Sequence, residues 1–343
     1  MRPPVLALPV GDERGASTRY RVLAHRRMLA AEGLGTEVLF PLKAAASRSR
    51  FKRVRDLLRD VRAARRARLL FVQRKTYPAP FDRLLAGAGA PLVFDVDDAI
   101  YLPPPGRDLP VGAARRYREQ FRAMVERADL VICGNDVLAA EVPHERVAVL
   151  PTAVDTDRFR PAPRENGPPR LGWVGHSDNL PYLERLAEPL RELSRRHPGL
   201  ELVVVADREP RLPGVQVRFR PWSLAGEVKV FEGIDAGLMP LDDTPWTRAK
   251  CAFKAIQYMA LGIPAVASPV GMNREVIRSG ENGYLPETDE EWVACIDGLL
   301  GDPSRAAALG AAARETVEAR YSLRAVTPRL ARLLRELLEQ TRR

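Results

Sequence analysis

The sequence predicts an α/β protein with two doubly wound domains, each a parallel sheet with helices on both faces. Three observations predict this fold class. The 343 residues correspond to two domains at about 150 residues per domain. Short apolar runs alternate with amphipathic stretches from end to end, as in sheets whose strands are joined by helical crossovers. A segment rich in proline, glycine and charge, residues 160–170, separates two such series.

The first series contains six apolar runs of strand length. They predict strands at residues 5–9, 37–40, 69–72, 92–96, 130–133 and 147–150. A loop at residues 11–18 follows the first strand, and the next helix is expected to end at Gly33, because glycine is common just past the last helical turn. These elements, up to residue 161, are expected to form the N-terminal domain.

The second series repeats the plan. It predicts strands at residues 171–174, 200–206, 215–219, 236–239 and 264–267. It also predicts helices at residues 180–196, 251–261 and 290–300, followed by two more helices after Asp302. A C-terminal domain is therefore expected over residues 169–322.

Composition narrows the class of protein. The three cysteines, Cys133, Cys251 and Cys295, are widely spaced and form no CxxC pair, which argues against both disulfides and a zinc site. No apolar stretch approaches the roughly 18 residues that cross a bilayer, and the N-terminus lacks a signal-peptide pattern, so a cytoplasmic location is expected, with membrane association left open. The net charge of +10 favours an anionic partner: nucleic acid, acidic lipid or a phosphate-bearing substrate.

The most informative motif is residues 250–285. It predicts a helix over 250–261, a turn, a short strand, a loop containing Gly271 and a second helix from Asn273. A glycine loop before a helix can present backbone N–H groups to an anion. The run QYMALGIPAVASPVGMNREVI, followed by ENGYL, resembles glycosyltransferase family 4, whose members have the GT-B fold.

This resemblance implies two Rossmann-like domains facing across a cleft, with the donor held by the C-terminal one. It also implies transfer of a sugar, with retained configuration, from a nucleotide diphosphate sugar to a glycan, lipid-linked or small-molecule acceptor. The nucleotide sugar would be a co-substrate, and no other cofactor or metal is expected. The last helix, residues 323–338, would return to the N-terminal domain, giving it residues 1–161 and 323–343.

One departure from the family concerns two glutamates, eight positions apart, that often bind the donor sugar and ribose. Ala249 and Gln257 occupy those positions here. Gln257 can still hydrogen-bond ribose hydroxyls, whereas the methyl group of Ala249 cannot bind a sugar in that way. Sugar selection is therefore expected to depend on other groups.

The resemblance also points to the donor-binding residues. The loop after the strand at 171–174 has no basic residue before Arg185, so the diphosphate is expected to bind Arg248 and two lysines, Lys250 and Lys254, that share one helix face four residues apart. The expected donor set is Gly15, Gly175, His176, Ser177, Arg248, Lys250, Lys254, Gln257, Gly271, Met272, Asn273 and Glu275.

The acceptor side is expected at residues 94–101, FDVDDAIY, where a buried strand ends in carboxylates. By the resemblance, Asp97 and Asp98 take the places of a histidine–aspartate pair. A carboxylate there can hydrogen-bond or deprotonate an acceptor hydroxyl, which makes Asp98 and Asp97 the candidate catalytic residues. A divalent metal site, or a helix cap with an ion pair, remains the alternative.

The segment from Arg48 to Arg68 is basic and amphipathic. Its apolar residues at helical spacing are Phe51, Val54, Leu57, Leu58 and Val61. A surface helix packing this stripe on the sheet is one interpretation, and docking on anionic lipid or a lipid-linked acceptor is another. Nucleic-acid binding is disfavoured, because stacking aromatic residues are not interleaved with the arginines.

Two other functions fit the same sequence. A nucleotide-sugar epimerase on the same fold would use the same donor site without an acceptor. A basic sugar-nucleotide or membrane-binding protein that has lost catalysis would also lack the two glutamates.

Overall fold

The computed structural model describes residues 4–42, 50–106, 109–162 and 167–340. Its contacts divide the chain into two compact units. The first unit contains Met1–Ala153 with Leu323–Arg343, and the second contains Val154–Ser322. The division at Ala153 precedes the expected linker, whose residues 163–166 lie outside the described residues.

The first unit is built on a parallel six-stranded sheet. Its strands are β1 (Val5–Pro9), β2 (Thr36–Val38), β3 (Leu70–Gln73), β4 (Leu92–Val96), β5 (Leu130–Cys133) and β6 (Val147–Val149), in the order β2-β1-β3-β4-β5-β6. The helices are α1 (Ala16–Thr18), α2 (Arg26–Ala31), α3 (Arg50–Ala64), α4 (Phe81–Ala86), α5 (Ala113–Arg127) and α6 (Asp136–Ala140), with a π-helical turn at Arg19–Leu23. The central strands are buried along their length, as expected when helices cover both faces.

The second unit has its own parallel six-stranded sheet. Its strands are β7 (Arg170–Val174), β8 (Glu201–Ala206), β9 (Val217–Pro221), β10 (Ala236–Met239), β11 (Ala265–Ala267) and β12 (Gly283–Tyr284), in the order β12-β11-β10-β7-β8-β9. The helices are α7 (Leu180–Glu184), α8 (Ala187–Arg196), α9 (Pro245–Arg248), α10 (Phe253–Ala260), α11 (Asn273–Val276), α12 (Asp289–Gly301) and α13 (Pro303–Arg320). The predicted α/β class with two parallel sheets is confirmed.

The C-terminal helix α14 (Leu323–Gln340) belongs to the first unit. Its buried side chains join the core formed by β1, β3, β4 and β5. They are Leu323, Val326, Leu330, Ala331, Leu334 and Leu337. Their spacing of three and four residues puts one apolar stripe against the sheet, which is what holds the end of the chain on this unit.

Two predicted helices differ from those observed. The helix expected over residues 180–196 is divided into α7 and α8. The helix expected to begin at Lys250 begins at Phe253, because Ala252 has φ of 49°, in the left-handed region that interrupts a right-handed helix. Lys250 and Lys254 therefore do not share a helix face, and this part of the sequence prediction is wrong.

The predicted apolar stripe of the basic segment also differs from the buried face of α3. Val54 and Leu58 are 42% exposed, whereas Asp56 and Asp60 are buried. The aspartates lie inward because Lys75 pairs with both of them, at 3.5 Å from Asp56 Oδ2. Val61 is buried as expected; Arg48 and the side chain of Phe51 lie outside the described residues.

Candidate functional site

The first loop of the second unit, directly after β7, is shaped by Gly175. An added Cβ at this position would lie 2.5 Å from Cη2 of the Trp173 ring and 3.0 Å from Cε of Lys254. Lys254, on α10, also places its ammonium 5.6 Å from the Trp173 ring centroid, within the range of a cation–π contact. The indole therefore excludes any larger residue at Gly175 and brings Lys254 to the loop expected to face the diphosphate.

His176 and Ser177 are anchored by Asp207, which follows β8. Asp207 accepts hydrogen bonds from the Ser177 amide at 2.6 Å and from its hydroxyl at 2.7 Å. The His176 Nε2 atom lies 3.6 Å from Asp207 Oδ2. Burial opposes ionisation of Asp207, but the hydrogen bonds from Ser177 and the nearby His176 outweigh it and lower its pKa. Asp207 was not among the residues predicted from the sequence, although an aspartate directly after a buried strand was a usable signal.

The second loop, after β11, is fixed by Gly271. Its φ is 52°, and an added Cβ would lie 2.2 Å from the carbonyl oxygen of Arg248. Only glycine allows this approach, so the loop packs on the end of α9. Met272 and Asn273 are buried, and Asn273 Nδ2 donates to the Ser268 carbonyl at 2.9 Å. Glu275, in α11, is exposed.

The other predicted donor residues lie on or beside α9 and α10. Arg248 donates from Nη2 to Asp243 Oδ2 at 3.0 Å, and this hydrogen bond raises the pKa of the guanidinium. Lys250 has its ammonium 6.0 Å from the Trp246 ring centroid. Gln257 is buried on α10 and Ala249 is buried before it. The two family positions are thus both inside the fold, and only Gln257 has a hydrogen-bonding side chain.

The sheet order brings these loops together. β10 pairs with both β7 and β11, all three in parallel, so their carboxyl ends lie at one edge of the sheet. The loop of Gly175 and the loop of Gly271 leave this edge, and Lys254 contacts the first of them. The edge therefore places a cation beside a loop that precedes a helical segment, with a second such loop at the same edge, a combination suited to an anion.

At the corresponding edge of the first unit, Arg74 organises the two candidate carboxylates. Its φ is 56°, an uncommon conformation for a residue other than glycine. Its Nη2 atom donates to Asp98 Oδ2 at 3.1 Å, and its Nε atom lies 3.6 Å from Asp97 Oδ1. Its Nη1 atom donates to Ser17 Oγ at 2.9 Å. β3 and β4 are neighbours, which explains why Arg74 meets the aspartates that follow β4.

The side chains of Asp97 and Asp98 are 8% and 16% exposed. Asp97 Oδ1 also accepts a hydrogen bond from Gln73 Nε2 at 3.3 Å, and Asp98 Oδ1 accepts one from the Ala99 amide at 3.1 Å. The ion-pair alternative raised by the sequence is thus observed. Within the described parts of the chain, no group of three or more His, Cys, Asp or Glu residues is arranged to hold a metal ion.

Below this layer lies a buried ion pair between Arg21 and Asp95. Arg21 Nε donates to Asp95 Oδ2 at 3.1 Å, and Arg21 Nη1 donates to the Leu150 carbonyl at 2.7 Å. Burial raises the pKa of Asp95 despite the opposing charge of Arg21. The pair ties the end of β4, and with it Asp97 and Asp98, to the π-helical turn and the end of β6.

Gly15 lies in the loop after β1, in the first unit. Its φ of −71° is open to any residue, so backbone conformation does not explain the glycine. Its carbonyl accepts a hydrogen bond from the Arg19 amide at 3.0 Å, which starts the helical segment containing Ser17. Since Ser17 accepts from Arg74, the Gly15 loop and the aspartates share one contact network.

Comparisons with known proteins concern the family and the fold. The family model of the group 1 glycosyl transferases matches residues 168–302, all of them in the second unit. A D-inositol 3-phosphate glycosyltransferase from Thermobispora bispora is 28% identical over 69% of this chain and 62% of its own length. A GDP-mannose-dependent α-(1-6)-phosphatidylinositol monomannoside mannosyltransferase from Mycolicibacterium smegmatis is 31% identical over 54% of this chain. The chain thus spans 62% and 55% of these two relatives.

Solved structures show the same fold over nearly the whole chain. Sucrose-phosphate synthase from Thermosynechococcus elongatus matches 99% of this chain and 100% of its own, with a TM-score of 0.72 at 19% identity. Anabaena HepE, solved with UDP and glucose, matches 97% of this chain and 99% of its own, with a TM-score of 0.71 at 16% identity. Residues 168–302 thus match the group 1 glycosyl transferases, and the chain shares the GT-B fold of these solved structures.

Proposed function

We propose that this protein transfers a sugar from a nucleotide diphosphate sugar to a hydroxyl acceptor, with retention of configuration. The observation that carries the proposal is the convergence of Lys254 and Gly175 at one sheet edge with the Gly271 loop. This edge lies within the segment that matches the group 1 glycosyl transferases. The relatives are named as transferases, which does not favour an epimerase or a protein without catalysis.

In this proposal the second unit binds the donor. The bond between the anomeric carbon and the diphosphate oxygen breaks, so negative charge grows on the departing diphosphate. The Lys254 ammonium and the amides of the Gly271 loop would stabilise that charge, and fixed donors of this kind need no reorganisation during the reaction. Gln257 would hydrogen-bond a hydroxyl group of the donor. Ala249 has no carboxylate, so other groups would have to select the sugar.

Asp98 in the first unit would bind the acceptor hydroxyl. Each of its oxygens already accepts one hydrogen bond and has a second lone pair for a hydroxyl proton. Arg74 fixes the rotamer of the carboxylate, and its strained backbone is the kind of feature found at functional sites. The new bond joins the acceptor oxygen to the anomeric carbon, and the hydroxyl proton passes to Asp98 or to the released diphosphate.

The relatives indicate which acceptors to test. Two of them are named for inositol 3-phosphate and a phosphatidylinositol mannoside. We therefore propose a polyhydroxylated acceptor that bears a phosphate, free or lipid-linked, and the basic composition of the chain supports this choice.

The test is acceptor-dependent release of nucleoside diphosphate. The full chain is incubated with UDP-, GDP-, ADP- and TDP-sugars, with and without inositol phosphates or glycans, and NMR of the product gives the anomeric configuration. Release that requires an acceptor, with the donor configuration kept in the product, is the expected result. Epimerised donor without release, or binding of a nucleotide sugar with no turnover on any acceptor, would contradict the proposal.

A further inference from the structure

One face of the first unit is covered by a row of three helices. α3 contacts α4, and α4 contacts α5, so the three lie side by side. Each of them joins successive strands in the direction β2, β3, β4, β5, and right-handed crossovers place them on the same face of the sheet. α2 runs between β1 and β2, in the reverse direction along the sheet, so it lies on the opposite face, where it contacts α14.

Exposed apolar side chains are concentrated on this row. Among the described residues, six large hydrophobic side chains are exposed, and four of them lie on α3, on α4 or just before α5. These are Val54 and Leu58 at 42%, Leu84 at 41%, and Val111, which is fully exposed. Single exposed apolar residues are ordinary, but a group on one face calls for an explanation.

On the same helices, many basic side chains are exposed and most acidic side chains are buried. Exposed arginines occur on all three: Arg55 and Arg62 on α3, Arg83 on α4, and Arg115, Arg116, Arg118 and Arg122 on α5. The carboxylates of α3 and α4, Asp56, Asp60 and Asp82, are buried. The exposed acids of these helices are Glu119, which pairs with Arg115 at 2.9 Å, and Glu126, 3.8 Å from Arg127.

We propose that this surface, the arginine face, docks the protein on an anionic lipid bilayer. The face is defined by Val54, Arg55, Leu58, Arg62, Arg83, Leu84, Val111, Arg115, Arg116, Arg118 and Arg122. Arginines bind lipid phosphates, often through two parallel hydrogen bonds, and the apolar side chains between them can enter the acyl boundary. The inward aspartates matter equally, because they remove negative charge from the surface that would meet the membrane.

Two alternatives are weaker. A face that is merely solvated would gain nothing from exposed valine and leucine side chains between the arginines. A surface for single-stranded nucleic acid is expected to present exposed aromatic rings for stacking, and no phenylalanine, tyrosine or tryptophan is among the exposed large hydrophobic side chains of the described residues. Charge complementarity to lipid phosphate combined with apolar side chains favours the bilayer.

The test is sedimentation of the full chain with vesicles of phosphatidylcholine alone or of phosphatidylcholine mixed with phosphatidylglycerol. The wild type is expected to pellet with the anionic vesicles, and less so at higher salt. The double variant Arg62→Gln/Arg115→Gln should lower partitioning about fivefold per arginine. The matched control is Arg27→Gln/Arg332→Gln, with the same loss of charge on exposed arginines of α2 and α14.

A second variant, Leu58→Ser, changes no charge. It should weaken vesicle binding while thermal unfolding and turnover of a water-soluble acceptor stay unchanged, because Leu58 is exposed and outside the candidate site. Equal binding of face and control variants, or the absence of binding to anionic vesicles, would overturn the proposal. If the arginine variants weakened binding to duplex nucleic acid but not binding to vesicles, the face would be assigned to nucleic acid.

Discussion

Lys254 is the residue whose position most directly links the second unit to an anionic ligand. It lies against Trp173 and Gly175, at the loop expected to face the diphosphate. Lys254→Ala should weaken nucleoside diphosphate binding by about 1.5–3 kcal/mol, the range for hydrogen bonds to charged groups. Calorimetric titration should show little change for the bare nucleoside. Lys250→Ala is expected to act in the same direction.

Lys229→Ala is the matched control, since Lys229 is the remaining lysine of the second unit. It should leave both affinities unchanged. An equal loss of nucleoside and diphosphate affinity in Lys254→Ala would show that Lys254 supports the fold, and the phosphate-binding residues would have to be sought elsewhere.

Asp98→Asn should reduce transfer while nucleotide binding stays nearly intact. The substitution keeps the shape of the side chain but replaces one of its two acceptor oxygens with an NH₂ donor, so the acceptor hydroxyl loses its partner. Steady-state kinetics and nucleotide titration measure the two effects separately. Glu119→Gln, an exposed carboxylate of the same unit, is the control. Weakened nucleotide binding with unchanged turnover would reverse the assignment.

His25 predicts a specific pH dependence of stability. Burial, with a smaller effect of the Arg21 charge, lowers the pKa of His25 from 6.5 to about 3. Below pH 6.5, His25 therefore binds a proton in the unfolded chain but stays neutral in the folded chain until the pH approaches 3. The free energy of unfolding should fall by about 1 kcal/mol from this residue between ~pH 6.5 and ~pH 5.5.

Urea unfolding at several pH values, with wild type and His25→Gln, measures this effect. The variant loses the hydrogen-bond partner of Thr327 and should be less stable at neutral pH. Its stability should nevertheless change less steeply over the acid range. Identical slopes for the two proteins would mean that folding does not lower the pKa of His25.

At the scale of elements, the Gly271 loop makes the sharpest prediction. Gly271→Ala must both adopt a positive φ and relieve a contact of 2.2 Å with the Arg248 carbonyl oxygen. Gly280 also has a positive φ, 84°, but nothing lies within 4 Å of an added Cβ. Gly280→Ala should cost about 1–2 kcal/mol of stability, the usual penalty for a left-handed residue, and Gly271→Ala distinctly more.

Chemical unfolding of both variants gives the comparison, and nucleotide titration adds a second measurement. Gly271→Ala should lose nucleotide affinity, since the loop has to leave α9. Gly280→Ala should retain it. If both variants were equally stable and bound nucleotide equally well, the close approach of the loop to Arg248 would have no role.

Most strands could be predicted because their apolar runs are continuous and bounded by turn residues. β1, β4, β5 and β10 have the predicted bounds. The failures have local causes. The left-handed Ala252 carries no signal in the sequence, since alanine favours helices. On α3, Asp56 and Asp60 took the buried positions through their contacts with Lys75, Arg59 and Tyr77, which periodicity cannot reveal.

The candidate site, too, could be predicted from the sequence only in part. Asp97 and Asp98 could be found because carboxylates directly after a buried strand stand out. Arg74 could not, because its role depends on a φ of 56° and on the pairing of β3 with β4. Lys254 was predicted from a helix face shared with Lys250, but the observed helix begins at Phe253 and does not include Lys250. The contact of Lys254 with the Gly175 loop depends on tertiary packing, which the sequence pattern does not reveal.

The whole molecule contains two separate parallel sheets, one in each unit. The C-terminal helix belongs to the first unit, although it follows the second unit in the sequence. No helix of the described residues is long and apolar enough to span a bilayer. The family model matches residues within the second unit, and we propose that this unit binds the nucleotide sugar.

Hydrogen–deuterium exchange of the full chain shows which unit binds the nucleotide. A thermal-shift screen of UDP, GDP, ADP and TDP selects the nucleoside diphosphate, and exchange is then compared with and without it. We expect slower exchange in residues 174–179 and 269–276, the loops after β7 and β11, with or without a change at residues 11–15. Slower exchange confined to the first unit, at residues 11–19 and 94–99, would contradict the assignment of the donor to the second unit.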